Sequence, residues 1–235
     1  MLIRPIWSSC KGISIMAYLD FISRLHRSTK RNYLERATEH DKAECAAEAK
    51  KFGRNYWDGD RKFGYGGYHY DGRWKPVAID LIEHYQIKPK DRVLDVGCGK
   101  GFLLYELMSL VPDLGIRGID ASDYALKHAK EEVRPFLDLG KAQDLPYPDD
   151  AFDLVISINT LHNLNIHDLE RALREIGRVC KGNSYIVVES YRNEQEKVNL
   201  FYWQLTCESF FSQQEWEWLF SEFGYSGDYS FIFFE

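Results

Sequence analysis

The sequence lacks long hydrophobic runs, internal repeats and regularly spaced cysteines. No apolar stretch approaches the roughly 18 residues that span a membrane, so we expect no membrane-spanning helix. The five cysteines form no CxxC pair and no metal-ligand spacing. We therefore predict free thiols in a reducing cytoplasm and no metal site.

The sequence also has fewer basic than acidic residues. The 30 Lys+Arg and 36 Asp+Glu give a formal net charge of -6, which argues against a protein that wraps nucleic acid. The balance is uneven along the chain. Residues 1–76 hold 15 basic and 9 acidic side chains, whereas residues 77–235 hold 15 and 27. A basic N-terminal part is therefore joined to an acidic body.

The chain has ample material for a hydrophobic core. Of its 235 residues, 45% are hydrophobic and 15% aromatic, which excludes wholesale disorder and fits one domain with an extension. Residues 1–16 contain no acidic residue but no continuous apolar segment either, which disfavours a signal peptide. We interpret residues 1–15 as a flexible tail or a start codon assigned too far upstream, because Met16 precedes a helical pattern.

Residues 16–76 are predicted to form a helical extension that ends in an aromatic loop. Apolar residues recur at helical spacing over 17–53. Residues 55–75 instead combine seven aromatics with five glycines. Glycine breaks regular structure and aromatic rings offer large contact surfaces, so we expect an ordered loop. Two interpretations stay open, namely a structural loop packed on the body and a lid over a substrate.

Residues 77–235 alternate between strand and helix patterns. Strands are predicted at 92–96, 115–119, 136–139, 154–158, 185–188 and 229–234. Helices are predicted at 77–85, 102–110, 123–133 and 168–179, the last ending before a C′ glycine at Gly182, and from a capping box at Ser212 and Glu215 to about Gly224. Such alternation predicts right-handed βαβ units and a parallel sheet covered on both faces.

A glycine loop joins the first strand to the next helix. It has the pattern Asp95-x-Gly97-x-Gly99-x-Gly101, and Asp120 follows 19 residues later at the end of the second strand. Glycines here let the backbone approach a ligand, and the carboxylate can accept hydrogen bonds from two ribose hydroxyls. The dinucleotide fingerprint GxGxxG fails, because its sixth position is Phe102.

The spacing D-x-G-x-G-x-G resembles motif I of class I S-adenosylmethionine-dependent methyltransferases. Segments 118–122, 142–147 and 152–162 resemble the motifs that follow it, in order. The resemblance covers roughly residues 77–224 and is closest to the small-molecule, type 11-like branch. It implies S-adenosylmethionine as cofactor and a Rossmann-like α/β fold with a doubly wound, mostly parallel seven-stranded sheet. Only one clear strand follows the last helix, so the antiparallel edge is expected to be shortened, with 206–211 as a candidate partner.

The resemblance also implies a set of cofactor-binding residues: Asp95, Gly97, Gly99, Gly101, Asp120, Ala121, Gln143, Asp144, Leu145 and Asn159. In such an enzyme Asp95 orients the methionine amino end, Asp120 binds the ribose, and Asp144 contacts the adenine. Lys141 stands where the family often has an acidic residue, so a contact from that position is not expected.

Candidates for the acceptor side lie at strand ends and in the aromatic loop. His162, Glu189 and His69 are the candidate catalytic residues, although hydrogen-bonding or ion-pairing roles remain open for the first two. The candidate substrate-binding residues are Tyr65, Tyr68, Tyr70, Arg73, Trp74 and Tyr191.

The predicted function is methyl transfer to an oxygen or nitrogen of a small, anionic or sugar-like metabolite in the cytoplasm. The basic N-terminal part has two possible uses, since it can attract an anionic acceptor or dock on the acidic body. Cations that flank or lie within the aromatic loop are Arg54, Arg61, Lys62 and Arg73. Two alternatives remain open, a protein or RNA methyltransferase and a non-catalytic S-adenosylmethionine-binding subunit. The acidic body disfavours RNA, and no nucleic-acid partner is expected.

Overall fold

A parallel sheet of six strands organises the molecule, whose computed structural model describes residues 16–27 and 31–235. The prediction for residues 1–15 lies outside the described residues. The strands are β1 (Arg92–Val96), β2 (Gly115–Asp120), β3 (Leu137–Leu139), β4 (Phe152–Ile158), β5 (Cys180–Glu189) and β6 (Asp228–Ile232). Their order is β3-β2-β1-β4-β5-β6, so the chain winds outward in both directions from β1 and β4. The predicted α/β doubly wound class is confirmed.

Helices cover both faces of this sheet. In the body they are α5 (Lys75–Tyr85), α6 (Phe102–Leu110), α7 (Asp123–Lys127), α8 (Ile166–Val179), α9 (Glu194–Trp203) and α10 (Gln213–Glu222). Alternate strand residues enter two cores. Val93 packs with α5 and α6, whereas Leu94 packs with α8 and α10. The strands are therefore buried on both faces, as a parallel sheet requires.

The C-terminal edge of the sheet differs from the expectation of seven strands. Among the described residues the sheet has six strands, and β6 pairs in parallel with β5 from Tyr185↔Asp228 to Glu189↔Ile232. Residues 206–211 form no strand. The outer edge of β6 is bonded instead to the N-terminal segment, because Leu19 N donates to the Tyr229 carbonyl and Tyr229 N to the Ala17 carbonyl. This pairing covers part of an edge that would otherwise expose unpaired backbone groups.

The N-terminal extension is less helical than predicted. Residues 17–20 run along β6, and the helices are short: α1 (Ser23–Arg27), α2 (Tyr33–Thr38), α3 (Lys42–Ala49) and α4 (Arg54–Asp58). Two of these helices begin at a residue whose side chain caps the first turn. The Asn32 side chain accepts from Glu35 N at the start of α2, and the Asp41 side chain accepts from Ala43 N at the start of α3.

Two further helix predictions need correction and one is confirmed. Gly182 is no C′ residue, because α8 ends at Val179 and Gly182 lies within β5 beside an irregularity in its pairing with β4. A Cβ at Gly182 would overlap the Asp153 carbonyl oxygen, which explains the glycine. The predicted helix 123–133 ends early, at Lys127. The capping box of Ser212 and Glu215 at the start of α10 is present as predicted.

Candidate functional site

One large cavity opens at the carboxyl edge of the sheet, where the N-terminal extension lies over the strand ends. Its volume is about 550 Å³, within the usual range for ligand pockets. We call its wall from the loops after β1, β2 and β4 the cofactor half, defined by Asp95, Gly97, Gly99, Asp120 and Asn159. We call the opposite wall the acceptor half, defined by His162, Glu189, Arg31, Arg36, Arg61 and Trp203.

The glycine loop forms the floor of the cofactor half. Gly97 has φ +83° and Gly99 φ +54°, and both conformations are rare for residues with a side chain. A Cβ at Gly97 would overlap the Thr160 side chain, and one at Gly99 would lie 2.9 Å from the Trp57 ring. The loop therefore requires glycine at both positions.

Asp120 closes the loop from the neighbouring strand. Its Oδ2 accepts from Gly99 N at 2.8 Å and its Oδ1 accepts from Ser122 N at 2.7 Å. Burial raises the pKa of this carboxyl, although the two backbone donors oppose the shift. Because each carboxylate oxygen can accept more than one hydrogen bond, the fixed side chain can also receive hydroxyl donors from a ligand.

Asp95 is the most deeply buried acid of the cofactor half, with 5% exposure. Burial, together with the negative charge of Asp120, raises its pKa to about 7. A cation bound in this half would favour the ionised form and lower that pKa. The site is therefore electrostatically prepared for a positively charged ligand.

Asn159 follows β4 beside the glycine loop. It adopts φ +61°, a left-handed conformation that asparagine tolerates better than most residues. Its Oδ1 is buried and has no hydrogen-bond partner within the described part of the chain. Buried acceptors of this kind are normally satisfied, so the atom indicates a donor supplied by a ligand.

The structure separates the remaining predicted cofactor residues into two groups. Ala121 and Gln143 line the cavity, and so does Lys141, from which no contact was expected. Gly101, Asp144 and Leu145 do not line it. Gly101 is the N-cap of α6.

Two predicted adenine contacts belong to this second group. The Leu145 side chain is buried in the core, and its backbone N donates to Glu175 Oε2 at 2.8 Å. Asp144 is exposed. Adenine contacts from these two residues stay a prediction.

A carboxyl–imidazole pair lies at the centre of the acceptor half. Glu189 ends β5, His162 lies in the 3₁₀ turn after β4, and Oε2 of Glu189 is 3.5 Å from Nε2 of His162. Both side chains are almost fully buried, and Glu189 Oε2 and His162 Nδ1 lack a hydrogen-bond partner among the described residues. Gln204 Nε2 donates to the other Glu189 oxygen.

Burial keeps both members of this pair uncharged near neutral pH. It raises the pKa of Glu189 to about 8, while the positive charge of Arg31 and the hydrogen bond from Gln204 oppose that shift. Burial also lowers the pKa of His162 to about 3. The pair can therefore exchange a proton with a bound ligand more readily than a solvated carboxylate could.

The aromatic loop roofs the cofactor half. Trp57 and Tyr65 stack with ring centroids 5.3 Å apart, and Tyr68 stacks on Phe102 at 5.1 Å. Trp57 Nε1 donates to Ser122 Oγ at 2.9 Å, beside Asp120. The loop is thus packed on the body and contributes to the cavity lining, and its use as a lid over a substrate stays a prediction.

A buried ion pair fastens this roof to the glycine loop, and the sequence pattern did not reveal it. Lys100 Nζ lies 2.7 Å from both carboxylate oxygens of Asp58 and donates to the Tyr68 carbonyl at 2.8 Å. The side chains are only 4% and 17% exposed. Tyr124 OH donates to the same carboxylate at 3.0 Å. We call Lys100 and Asp58 the latch.

The predicted acceptor-side residues are distributed unevenly. Tyr65, Tyr68, Arg73 and Trp74 line the cavity, and so does His69, although His69 is exposed. Tyr70 and Tyr191 lie outside the lining. The Tyr70 hydroxyl donates to Glu106 Oε1 at 2.7 Å, which explains its orientation.

The acceptor half also contains residues that sequence analysis missed. Arg31, Arg36 and Trp203 line the cavity, and no local pattern marked them, whereas Tyr56 was noted only as one of the seven aromatics of the loop. Of the three arginines in this half, Arg61 alone was singled out, for its position in the aromatic loop. Their convergence depends on contacts between segments that are far apart in the chain.

Residues 16–27 and 31–235 contain neither a metal-binding cluster nor a membrane-spanning helix. This part of the chain contains no group of three or more His, Cys, Asp or Glu side chains placed to hold a metal ion. None of its helices is long and apolar enough to cross a membrane.

Comparisons with known proteins agree with this architecture. A family model described as "Methyltransferase domain" matches residues 87–224. Demethylmenaquinone methyltransferase of Symbiobacterium thermophilum is 34% identical over 128 residues, covering 51% of this chain and 50% of the relative. Ajmaline N-methyltransferase of Rauvolfia serpentina is 36% identical over 111 residues, covering 44% and 37%. The chain thus spans about half the length, or less, of the curated relatives it matches.

A solved structure has the same fold. The YcgJ protein of Bacillus subtilis superposes with a TM-score of 0.53 and 24% identity, covering 62% of this chain and 66% of that one. At this identity the likeness establishes the fold alone.

Proposed function

The chain belongs to the class I S-adenosylmethionine-dependent methyltransferase family, and from this premise we propose that it methylates an oxygen or nitrogen atom of a small molecule. One observation carries the proposal. The glycine loop with its two acids and the Glu189–His162 pair face one cavity under one roof. Such an arrangement can hold a methyl donor and an acceptor side by side, away from water.

The cofactor half fits S-adenosylmethionine in charge and shape. The cofactor carries a sulfonium and an ammonium cation, and this half offers the carboxyls of Asp95 and Asp120. Gly97 and Gly99 line the cavity with backbone alone, and Asn159 Oδ1 has no hydrogen-bond partner among the described residues. We infer that Asp95 and Asn159 bind the methionine end and that Asp120 binds the ribose hydroxyls.

Bound S-adenosylmethionine supplies an electrophilic methyl group on a sulfonium sulfur. The protein's own contribution is to align the acceptor atom with that methyl group and to exclude water. Trp57, Tyr65 and Tyr68 serve the second purpose, because their stacked rings close the cavity above the glycine loop.

Glu189 is the proposed proton acceptor. Its Oε2 lacks a hydrogen-bond partner among the described residues, and a pKa of about 8 lies close to the operating range of a general base. In its ionised form Glu189 would take the proton of an acceptor hydroxyl as the new bond to carbon forms, or the proton of an acceptor ammonium group before its nitrogen lone pair attacks. His162 is too weak a base for that role at a pKa of about 3, and we assign it to positioning Glu189.

The size of the cavity, about 550 Å³, and its aromatic roof favour a small acceptor over a macromolecule. A protein or RNA chain needs an open groove, whereas here the aromatic loop is fastened over the cavity by the latch. A quinone, which the name of the Symbiobacterium relative indicates for that protein, remains a candidate acceptor. A role as a non-catalytic subunit is disfavoured by the buried, ligand-facing Glu189.

Calorimetry with S-adenosylhomocysteine and a transfer assay test the proposal. We expect the wild type to bind this product and Asp120→Ala to bind it at least tenfold more weakly, because two charge-assisted hydrogen bonds to the ribose are lost. Asp123→Ala is the matched control, since that carboxylate is exposed and pairs with Lys127.

The transfer assay follows a labelled methyl group into a metabolite extract. Label in the small-molecule fraction that disappears with Asp120→Ala supports the proposal. Label in macromolecules would favour the protein or RNA alternative. Binding without transfer to any fraction would favour a non-catalytic subunit, and no binding by the wild type would refute the proposal.

A further inference from the structure

Three guanidinium groups surround one aromatic ring in the acceptor half. The Cζ atoms of Arg31, Arg36 and Arg61 lie 5.4, 5.2 and 5.5 Å from the centroid of the Trp203 ring, and all four residues line the cavity. We call these three arginines the arginine cluster. They come from two separate parts of the N-terminal extension, so their convergence is a property of the fold and not of a basic run in the sequence.

Arg36 and Arg61 keep donors available toward the cavity. Arg36 donates to the carbonyls of Trp203 and Arg61, and Arg61 donates to the Tyr65 carbonyl at 3.2 Å. Neither side chain has a carboxylate oxygen within 4.0 Å among residues 16–27 and 31–235. A guanidinium has five N–H donors, so several remain for a ligand.

Other cations of the N-terminal extension behave differently. Arg24 pairs with Asp80 at 2.8 Å, Lys50 pairs with Glu208, and Arg73 pairs with Asp71. The first two ion pairs join the extension to the acidic body, which is one of the two roles proposed above for the positive charge of the extension. Arg36 and Arg61 form no such ion pair among residues 16–27 and 31–235, and both line the cavity instead.

The positive charges of Arg36 and Arg61 have no carboxylate within 4.0 Å in the part of the chain that the structure describes. Burial lowers the pKa of Arg36, and the neighbouring charge of Arg61 adds to that effect. Asp60 opposes it from an exposed position, and Glu189, which acts on Arg31, is itself kept neutral by burial. Arg36 is half-buried and has no carboxylate oxygen within 4.0 Å among the described residues, and burying such a cation is costly, so an anion bound between Arg36 and Arg61 would be strongly favoured.

His26 orients one member of the cluster. Nη2 of Arg31 lies 2.9 Å from Nε2 and 3.2 Å from Nδ1 of the His26 ring. Burial and the charge of Arg31 lower the pKa of His26 to about 3, so the ring stays neutral and adds no further positive charge. It can therefore contact the guanidinium without repelling it.

We propose that the arginine cluster binds an oxyanion, a carboxylate or a phosphate, carried by the methyl acceptor. The inference rests on the proposed function and narrows it to acidic acceptors. Guanidinium groups bind such planar or tetrahedral oxyanions through paired hydrogen bonds. Because Glu189 lies within electrostatic reach of Arg31, the anionic group sits close to the atom that is methylated, and an uncharged quinone leaves the cluster uncompensated.

Anion titration tests the cluster directly. Inorganic phosphate and benzoate are titrated into the wild type with and without S-adenosylhomocysteine, against chloride at equal ionic strength. We expect one of the two anions to bind, and Arg36→Gln and Arg61→Gln each to weaken it at least tenfold while S-adenosylhomocysteine affinity stays within twofold. Arg24→Gln is the matched control, because that arginine is 77% exposed and paired with Asp80.

The titration also separates the two possible sources of the anion. Preferential binding of phosphate indicates a phosphorylated acceptor, and preferential binding of benzoate indicates a carboxylic acid. Equal binding by wild type and both glutamine variants would overturn the proposal, as would no binding of either anion. If Arg36→Gln does not fold, Arg61→Gln still decides the result, since the Arg61 side chain is exposed.

A transfer assay distinguishes failure of this inference from failure of the proposed function. Matched acceptors are compared as free acid and as methyl ester or amide. Preference for the acid in kcat/KM, abolished in Arg61→Gln, supports the cluster. Transfer to neutral acceptors without any preference would support the proposed function and refute the cluster. If S-adenosylhomocysteine does not bind at all, the proposed function fails while phosphate binding to the cofactor-free protein still tests the cluster.

Discussion

The two halves of the cavity are built in different ways. The cofactor half consists of short loops at the ends of adjacent parallel strands, and it contains the buried Asp95 and the half-buried Asp120. The acceptor half gathers side chains from the N-terminal extension, the turn after β4, the end of β5 and α9. The cofactor half depends mainly on the backbone conformation of its loops, whereas the acceptor half depends mainly on which side chains are present. A shared scaffold can therefore keep one cofactor site while the acceptor site is rebuilt.

Charge follows the same division. The part of the chain before residue 77 is basic and supplies the arginine cluster, whereas the rest is acidic and supplies Asp95 and Asp120. Each half thus presents the sign opposite to its proposed ligand, a cationic cofactor in one and an anionic acceptor in the other. Placing both halves in one cavity also brings the two ligands' opposite charges together, which favours their simultaneous binding.

Breaking the latch has the largest expected effect, because a buried ion pair joins the aromatic roof to the glycine loop. Lys100→Met leaves the Asp58 carboxylate buried without its cation, and loss of one partner of such a pair costs about 3–5 kcal/mol in the free energy of unfolding. Chemical denaturation measures this loss.

The double variant Asp58→Asn/Lys100→Met provides the control for that experiment. It removes both charges, so we expect it to recover part of the lost stability. Lys127→Met, which breaks an exposed pair with Asp123, should change the free energy of unfolding by less than about 1 kcal/mol. Equal stability of Lys100→Met and the wild type would show that roof and glycine loop are not coupled.

Replacement of the proposed base should affect the acceptor half alone. Glu189→Gln keeps the shape of the side chain but can never take the ionised, proton-accepting form, so we expect kcat to fall about 10²–10³-fold. Calorimetry should show S-adenosylhomocysteine affinity within about twofold of wild type. Glu215→Gln, at the exposed capping box of α10, is the control. An unchanged kcat would assign Glu189 to structure only.

The same difference between the halves explains what could be predicted from sequence. The glycine loop and Asp120 follow from spacing over a few residues, and β1 was predicted with its observed bounds. Helix α9 was missed because its apolar residues do not gather on one face. The number of strands was overestimated, because it was carried over from a family pattern and not from the residues.

The acceptor half could not be predicted by such local rules. Trp203 meets Arg36 across 167 positions, and the latch joins residues 42 positions apart. No periodicity or motif encodes contacts of this kind, since they depend on how the extension crosses the sheet edge. His162 and Glu189 were found because they sit at strand ends, where topology alone predicts a site.

Measuring cofactor affinity as a function of pH tests the role assigned to the acidic residues of the cofactor half. In the ligand-free protein Asp95 has a pKa of about 7, and the ammonium group of S-adenosylhomocysteine favours its ionised form. Below pH 7 the carboxyl must first release a proton, so S-adenosylhomocysteine affinity should fall about tenfold per pH unit and level off above that value. Calorimetry between pH 5.5 and about 8.5 checks this range.

Asp95→Asn is the decisive variant for that titration, because it should bind weakly with little pH dependence. The stability of the free wild type should show the opposite trend. The folded protein keeps the Asp95 proton above the ordinary pKa of 3.8, where the unfolded chain loses it. The contribution of this group to the free energy of unfolding therefore declines as pH rises from about 4 through 7. A slope of either sign that persists in Asp95→Asn would assign the effect to another group.

The smallest effect is expected at Asp144, where family resemblance and structure point in different directions. The resemblance implies an adenine contact, which would contribute about 0.5–1.5 kcal/mol and up to about tenfold in affinity. The structure leaves this carboxylate exposed and outside the cavity lining, whereas the adjacent Gln143 lines it. We therefore expect Asp144→Ala to change S-adenosylhomocysteine affinity by less than about twofold, and Gln143→Ala to change it more. The reverse order would mean that the segment after β3 rearranges when the cofactor binds, and that the cofactor half is less rigid than its glycine loop suggests.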